Sequence, residues 1–261
     1  MRVPALTLAA AGAALVAPAA VPAPATAVPA PATAVPAPAT AVPAPATAVP
    51  APATAVPPPV RPVTREEGAV TAADLLARAG ACSQVSRGRY RTDADSRATV
   101  RVCGTRDAVF WKADLDIDCD GRPSARCNRR TDPVFADTTA FQQSDGRHLS
   151  AERLPYVVVP APSRRWNFLS SGVRGGSVAA VVYHDKVQYA VVGDTGPRDI
   201  IGEASYDTAR RLGIRPDPLD GGVPSGVTYI VFRDSHVRPI QDRAAAEAEG
   251  ERLARLFIRK R

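Results

Sequence analysis

Two acidic runs in the chain have spacings that permit chemistry. In Ala113-Asp114-Leu115-Asp116-Ile117-Asp118-Cys119-Asp120-Gly121, aspartates alternate with apolar residues. On a β-strand that alternation sets Asp114, Asp116, Asp118 and Asp120 on one face and Leu115, Ile117 and Cys119 on the other. Four like charges on one face repel each other, so the pattern calls for a cationic partner; a solvated acidic turn is the plain alternative. Asp116-x-Asp118-x-Asp120-Gly121 matches the start of an EF-hand loop, but the bidentate glutamate that completes such a loop would fall at Cys127. A polycation is therefore the expected partner, with no metal. The second run is Ala190-Val191-Val192-Gly193-Asp194-Thr195-Gly196-Pro197, followed by Ile201-Gly202-Glu203-Ala204-Ser205. An apolar strand delivers Asp194 to a glycine-flanked turn, and Glu203 follows nine residues later. A chain that doubles back there would set two carboxyls across a cleft. One would be protonated to donate to a leaving oxygen and the other ionised to activate water, as hydrolysis of a sugar linkage requires. Asp-Thr-Gly also occurs in aspartic proteases, which need two copies; one is present here. On spacing alone, a purely structural turn fits equally well.

Several segments are available to position these residues. Strand-like runs span Ala98 to Val102, Val109 to Cys119, Tyr156 to Val159, Val178 to Tyr183, Val187 to Val192 and Val227 to Phe232. His184-Asp185-Lys186 has the length of a hairpin connection. Thr71-Ala-Ala-Asp74 is a helix start with a capping box, and Gly80 ends that helix. Glu203 to Leu212 is expected as a short helix stopped by Gly213. Arg243 to Arg261 is expected as a terminal helix docking through Leu253, Leu256 and Phe257. Strands without regular intervening helices predict a mainly β, α+β fold: a β-barrel-like core with peripheral helices, one of them C-terminal. The strand–Gly-Asp-Thr-Gly–turn segment resembles double-psi barrels, which suggests that type of core.

The rest of the chain supplies an address and a tether. Arg2, the apolar run from Ala5 to Ala17 and the small residues near Ala20 read as an export signal over residues 1–20. From Val21 to Ala55 the heptapeptide Val-Pro-Ala-Pro-Ala-Thr-Ala occurs five times. Two prolines per repeat forbid a helix and favour extended polyproline II, so residues 21–60 are expected to be a spacer. Residues 61–261 form the expected catalytic domain, carrying 32 of the 33 Lys and Arg residues and all 26 Asp and Glu. Four cysteines in an exported chain imply two disulfides with three connectivities possible. Cys82–Cys103 with Cys119–Cys127 is favoured, because the second pair would close and stiffen the polar loop after Asp120. A zinc site has the wrong spacings and no nearby histidine; His148, His184 and His236 read as loop or surface residues. The protein is expected to be secreted and monomeric, without cofactor, and without nucleic acid or membrane as partner once the signal is removed. Few aromatics interleave with the basic residues, which argues against base stacking.

The run from Tyr183 to Ser205 resembles the catalytic region of the glycoside hydrolase family 75 chitosanases. Leu154-Pro155-Tyr156-Val157-Val158-Val159-Pro160 and Asp116-Ile117-Asp118-Cys119-Asp120-Gly121 resemble its other signature segments, and together these span roughly Cys82 to Phe232. The resemblance implies an endo-acting, inverting hydrolase of β-1,4-linked glucosamine polymers, with the essential aspartate and glutamate carried over to Asp194 and Glu203 and with Tyr156 among the substrate-binding residues. Glu203 is the expected acid and Asp194 the expected base. Chitosan is a polycation and the chain is net +7, so the charges must segregate. Asp114, Asp116, Asp118, Asp120, Asp194 and Glu203 would line one groove, with the arginines elsewhere. A different polysaccharide- or peptidoglycan-cleaving hydrolase and a non-catalytic wall-binding module are the alternatives.

Overall fold

The computed structural model describes residues 69–259. The expected signal and proline spacer, and the last two residues of the expected terminal helix, lie outside them. The helix α1 (Ala72–Ala79) begins at Thr71, whose side chain accepts from the Asp74 N–H while the Asp74 carboxylate accepts from the Thr71 N–H. Strands β1 (Cys103–Gly104), β2 (Ala108–Asp118), β3 (Tyr156–Pro160), β4 (Val178–Tyr183) and β5 (Lys186–Gly196) follow. A short 3-10 helix, Phe168–Ser171, precedes β4. Then come β6 (Glu203–Ser205), α2 (Tyr206–Leu212), β7 (Val223–Phe232) and α3 (Arg243–Arg259).

The strands close into a six-stranded mixed barrel in the order β2-β6-β3-β5-β4-β7, with β7 pairing back to β2 and β1 appended to β2. The pairs β2/β6 and β3/β5 are parallel; the other four are antiparallel. Period-two alternation fills the interior. Trp111 and Leu115 of β2, Val157 and Val159 of β3, Ala179 and Val181 of β4, Val192 of β5, Ala204 of β6 and Tyr229 of β7 form one buried cluster. At its centre Trp111 stacks on Tyr229 with ring centroids 5.3 Å apart. The alternate residues Phe110, Val182, Ile230 and Phe232 face outward and are covered by Leu75 of α1 and by Ala254 and Phe257 of α3. Disulfides join Cys82 to Cys103 and Cys119 to Cys127.

Four expectations are corrected. Ala98 to Val102 makes only an isolated bridge, Tyr90↔Val100, and no strand. Glu203 to Leu212 is not one helix. Its first three residues pair with β2 and β3, and the helix begins only after Ser205, whose hydroxyl accepts from the Thr208 N–H as N-cap. The Gly-Asp-Thr-Gly segment is not a turn but the end of β5. In α3 Leu256 is exposed. The buried stripe is Ala246, Gly250, Ala254 and Phe257, because Gly250 packs against the Tyr189 ring, where a larger side chain would collide. Close approach selects small residues there, which a search for large apolar ones misses.

Candidate active site

Asp194 owes its position to a bulge. Val157 pairs with Val192 but Val158 pairs with Asp194, so Gly193 is the unpaired extra residue. A side chain at Gly193 would start 2.6 Å from Tyr156 Cβ, which is why this bulge carries glycine. The inserted residue turns Asp194 onto the outward face, in line with Val158. Glu203 reaches the same face by a different strand: it pairs with Asp116, while Ala204 after it points into the barrel opposite Val157. The Glu203 carboxylate then lies over Gly196, with Oε2 2.7 Å from where a Gly196 Cβ would be.

These residues line a cleft of about 320 Å³ together with Asp118, Asp120 and Asp132, with Val134 at its exposed edge. Larger cavities exist, but those of about 530 and 840 Å³ have no carboxylate in their lining and those of about 470 and 350 Å³ have one each, Asp137 and Asp217, so the convergence of ionisable groups marks the site rather than size. Asp194 Oδ1 accepts from the N–H groups of Ala140 and Thr195, both at 2.7 Å. Asp118 Oδ1 accepts from the Asp120 N–H and Asp120 Oδ1 from the Ala136 N–H, again at 2.7 Å. Carboxylate oxygens of Asp118, Asp120 and Asp194 lie within 4.8 Å of one another, a set able to hold a cation.

Burial and crowding raise the proton affinities of Glu203, Asp194, Asp118 and Asp120. Burial pushes Glu203 up to about 7, with Asp116, Asp120 and Asp194 adding repulsion. Burial takes Asp194 to about 6 against the two N–H groups that favour its anion. Asp118 is raised well above the carboxylate range, by burial first and then by Asp194 and Glu203, and burial raises Asp120 as well.

The row of four aspartates does not form one groove wall. The β2/β7 register shifts between Ala113 and Leu115, at Asp114. Asp114 is 3% exposed and sits beneath Gly202, whose φ of +131° and missing Cβ make room for it. Asp116, exposed beside Glu203, groups with Asp114 and Asp93. Only Asp118 and Asp120 face Asp194. Tyr156 is fully buried, and its hydroxyl donates to the Asp120 carbonyl at 3.1 Å, so it props up the loop and has no surface to offer a sugar. Sequence inspection missed Asp132 and Asp93, which arrive on irregular loops, and the part played by His148. Its Nδ1 lies 2.9 Å from the Thr139 nitrogen and so anchors the loop whose next residue, Ala140, donates to Asp194.

A barrel that gathers this many carboxyls in one cleft holds the kinds of group that acid–base hydrolysis uses. Residues 115–255 match the family described as "Fungal chitosanase of glycosyl hydrolase group 75". The chain is 31% identical over 176 residues to an endo-chitosanase of Aspergillus fumigatus, covering 61% of this chain and 74% of that protein. It is 28% identical over 178 residues to endo-chitosanase B of Aspergillus oryzae (strain ATCC 42149 / RIB 40), with the same coverage of each. Against endo-chitosanase C of Aspergillus oryzae it is 32% identical over 133 residues, 48% of this chain and 31% of that one. The chain belongs to glycoside hydrolase family 75 and is a chitosanase-type glycoside hydrolase.

Proposed function

We propose that the protein is a secreted, monomeric, endo-acting enzyme that hydrolyses β-1,4-linked glucosamine polymers with inversion, Glu203 acting as general acid and Asp194 as general base. The observation that carries this is the unequal treatment of two carboxyls in one cleft. Asp194 is fastened through one oxygen by two backbone N–H groups, which stabilise its anion and leave the other oxygen for a water. Glu203 is enclosed among carboxyls and keeps its proton to a higher pH. The acid protonates the departing glycosidic oxygen, and the base draws a proton from water attacking the opposite face. Carboxyls and water suffice for this chemistry.

Asp118 and Asp120 are assigned to the substrate's ammonium groups. A protonated glucosamine amine placed between them would relieve their mutual repulsion, whereas an acetamido group has no charge to offer. The two parallel strand pairs within an otherwise antiparallel barrel support a double-psi core, and the disulfides together with the apolar N-terminal run support export. The test is activity of the wild type, Asp194→Asn and Glu203→Gln on fully deacetylated chitosan, with the first-formed anomer read by NMR. The α-anomer is expected, with activity reduced at least 10³-fold in each variant, on the order of what removing an acid or base costs. Near-normal turnover by either variant removes that residue from the mechanism, and a β-anomer removes inversion.

A further inference from the structure

We propose a calcium-class cation site, separate from the proton-transfer pair, formed by Asp93, Asp114 and Asp116. Their carboxylate oxygens lie within 4.8 Å of one another, a spacing one ion can bridge at the 2.3–2.6 Å typical of calcium–oxygen bonds. A second observation concerns Asp114. The residue is 3% exposed, and its Oδ1 is buried without a hydrogen-bond partner. A buried carboxylate oxygen left unpaired is costly unless a cation meets it. Among the described residues no salt bridge reaches any of the three aspartates, and the charges acting on Asp114 are Asp116, Asp93 and Glu203, all acidic.

Three separate stretches of chain bring the ligands together. Asp114 and Asp116 stand on the same face of β2, and Asp116 is fixed by its N–H donating to the Gly202 carbonyl at 2.8 Å. Asp93 comes from a turn stitched to the segment before Gly202: the Arg91 N–H donates to the Asp199 carbonyl and the Ile201 N–H to the Arg91 carbonyl. Asp93 and Asp116 are exposed and Asp114 is enclosed, so an ion would enter from solvent and meet Asp114 last. The expectation of no metal rested on the EF-hand register ending at Cys127. This set uses Asp93, outside that run, and both Asp93 and Asp114 precede the family-matched residues 115–255.

The site is tested with terbium and calcium on the full chain. Tyr229, whose hydroxyl donates to the Asp114 carbonyl at 2.9 Å, and Trp111 stacked on it would sensitise bound Tb³⁺. Saturable luminescence that Ca²⁺ displaces is expected, with Tb³⁺ affinity about tenfold or more weaker in Asp93→Asn and in Asp114→Asn, and within about twofold of wild type in Asp120→Asn. Ca²⁺ should also raise the Tm of the wild type but not of Asp93→Asn. Because Asp93 is exposed, that variant keeps the test valid if Asp114→Asn fails to fold. Absence of saturable signal, an unchanged signal in Asp93→Asn, or loss of signal in Asp120→Asn instead, which would place the ion among Asp118, Asp120 and Asp194, would each overturn the proposal. Displacement by a glucosamine oligomer but not by Ca²⁺ would overturn it in favour of an amine-binding subsite.

Discussion

The Glu203 carboxylate rests on the backbone of Gly196, with Oε2 2.7 Å from where a Cβ would stand. Gly196 is two residues beyond Asp194 on the same strand, so the strand that carries one carboxyl also sets the position of the other. Gly196 does not have positive φ, so alanine is tolerated by the backbone but displaces Glu203. Gly196→Ala is expected to lower kcat on deacetylated chitosan about 10–100-fold, as misplacing a catalytic group by about 1 Å does, while Tm changes by no more than a few degrees. Wild-type kcat in this variant would mean that the contact has no part in the reaction.

The two proton affinities predict a narrow bell in kcat/KM. Activity needs Asp194 ionised and Glu203 protonated, so it rises as pH passes about 6 and falls as pH passes about 7. The same shifts act on stability. A carboxyl whose folded value lies above its unfolded one stabilises fully below the unfolded value and loses that contribution as pH rises through the folded value. For Glu203 the window runs from about 4.5 to about 7. Urea unfolding of the wild type should therefore show stability declining across it, and Glu203→Gln should flatten the decline by about 1–3 kcal/mol, after allowance for partial exposure. A variant with an unchanged slope would show that Glu203 titrates normally.

Much of this arrangement is legible in the residues, and the rest is hidden for identifiable reasons. The alternation of β2 and the β-branched runs of β3 and β4 declare themselves locally, as does the capping box of α1. The bulge at Gly193 does not, because it exists only against Tyr156, 37 positions earlier in the chain. β6 is three residues long, and Glu203-Ala204-Ser205 has no strand character by composition; its pairing with Asp116, Ile117 and Asp118 makes it a strand. Alternation along the run puts four aspartates on one face, but Asp114 and Asp116 gather with Asp93 while Asp118 and Asp120 gather with Asp194. Asp194, Glu203, Asp118 and Asp120 do meet, whereas Asp93 and Asp132 come from loops in which no periodicity signals a neighbour.

Ser205 links the site's two halves to the core. Its fully buried hydroxyl donates to the Leu154 carbonyl at 2.9 Å, accepts from the Tyr156 N–H at 3.0 Å and caps α2 through Thr208. Ser205→Ala leaves the Tyr156 N–H without this partner and α2 without its cap. A loss of about 2–3 kcal/mol is expected, read from the midpoint shift in urea with unchanged m-value. A loss under about 0.5 kcal/mol would show that water or Thr208 replaces the hydroxyl.

Asp120 separates substrate recognition from proton transfer. Its loop is closed by Cys119–Cys127, held by the Ala136 N–H and braced by Tyr156, so its carboxylate is fixed before substrate arrives. Removing the charge as Asp120→Asn keeps one amide oxygen for the Ala136 N–H and preserves the loop, while taking away one of the carboxylates assigned to a substrate amine. KM for fully deacetylated polymer should then rise about tenfold, with a smaller rise on half-acetylated polymer, whose uncharged units gain nothing from the carboxylate. Raising the salt concentration should narrow the gap between wild type and variant, because screening weakens what remains of the attraction. An equal loss on both polymers would assign Asp120 to the chemistry or to the fold, leaving selectivity for the charged sugar to other residues.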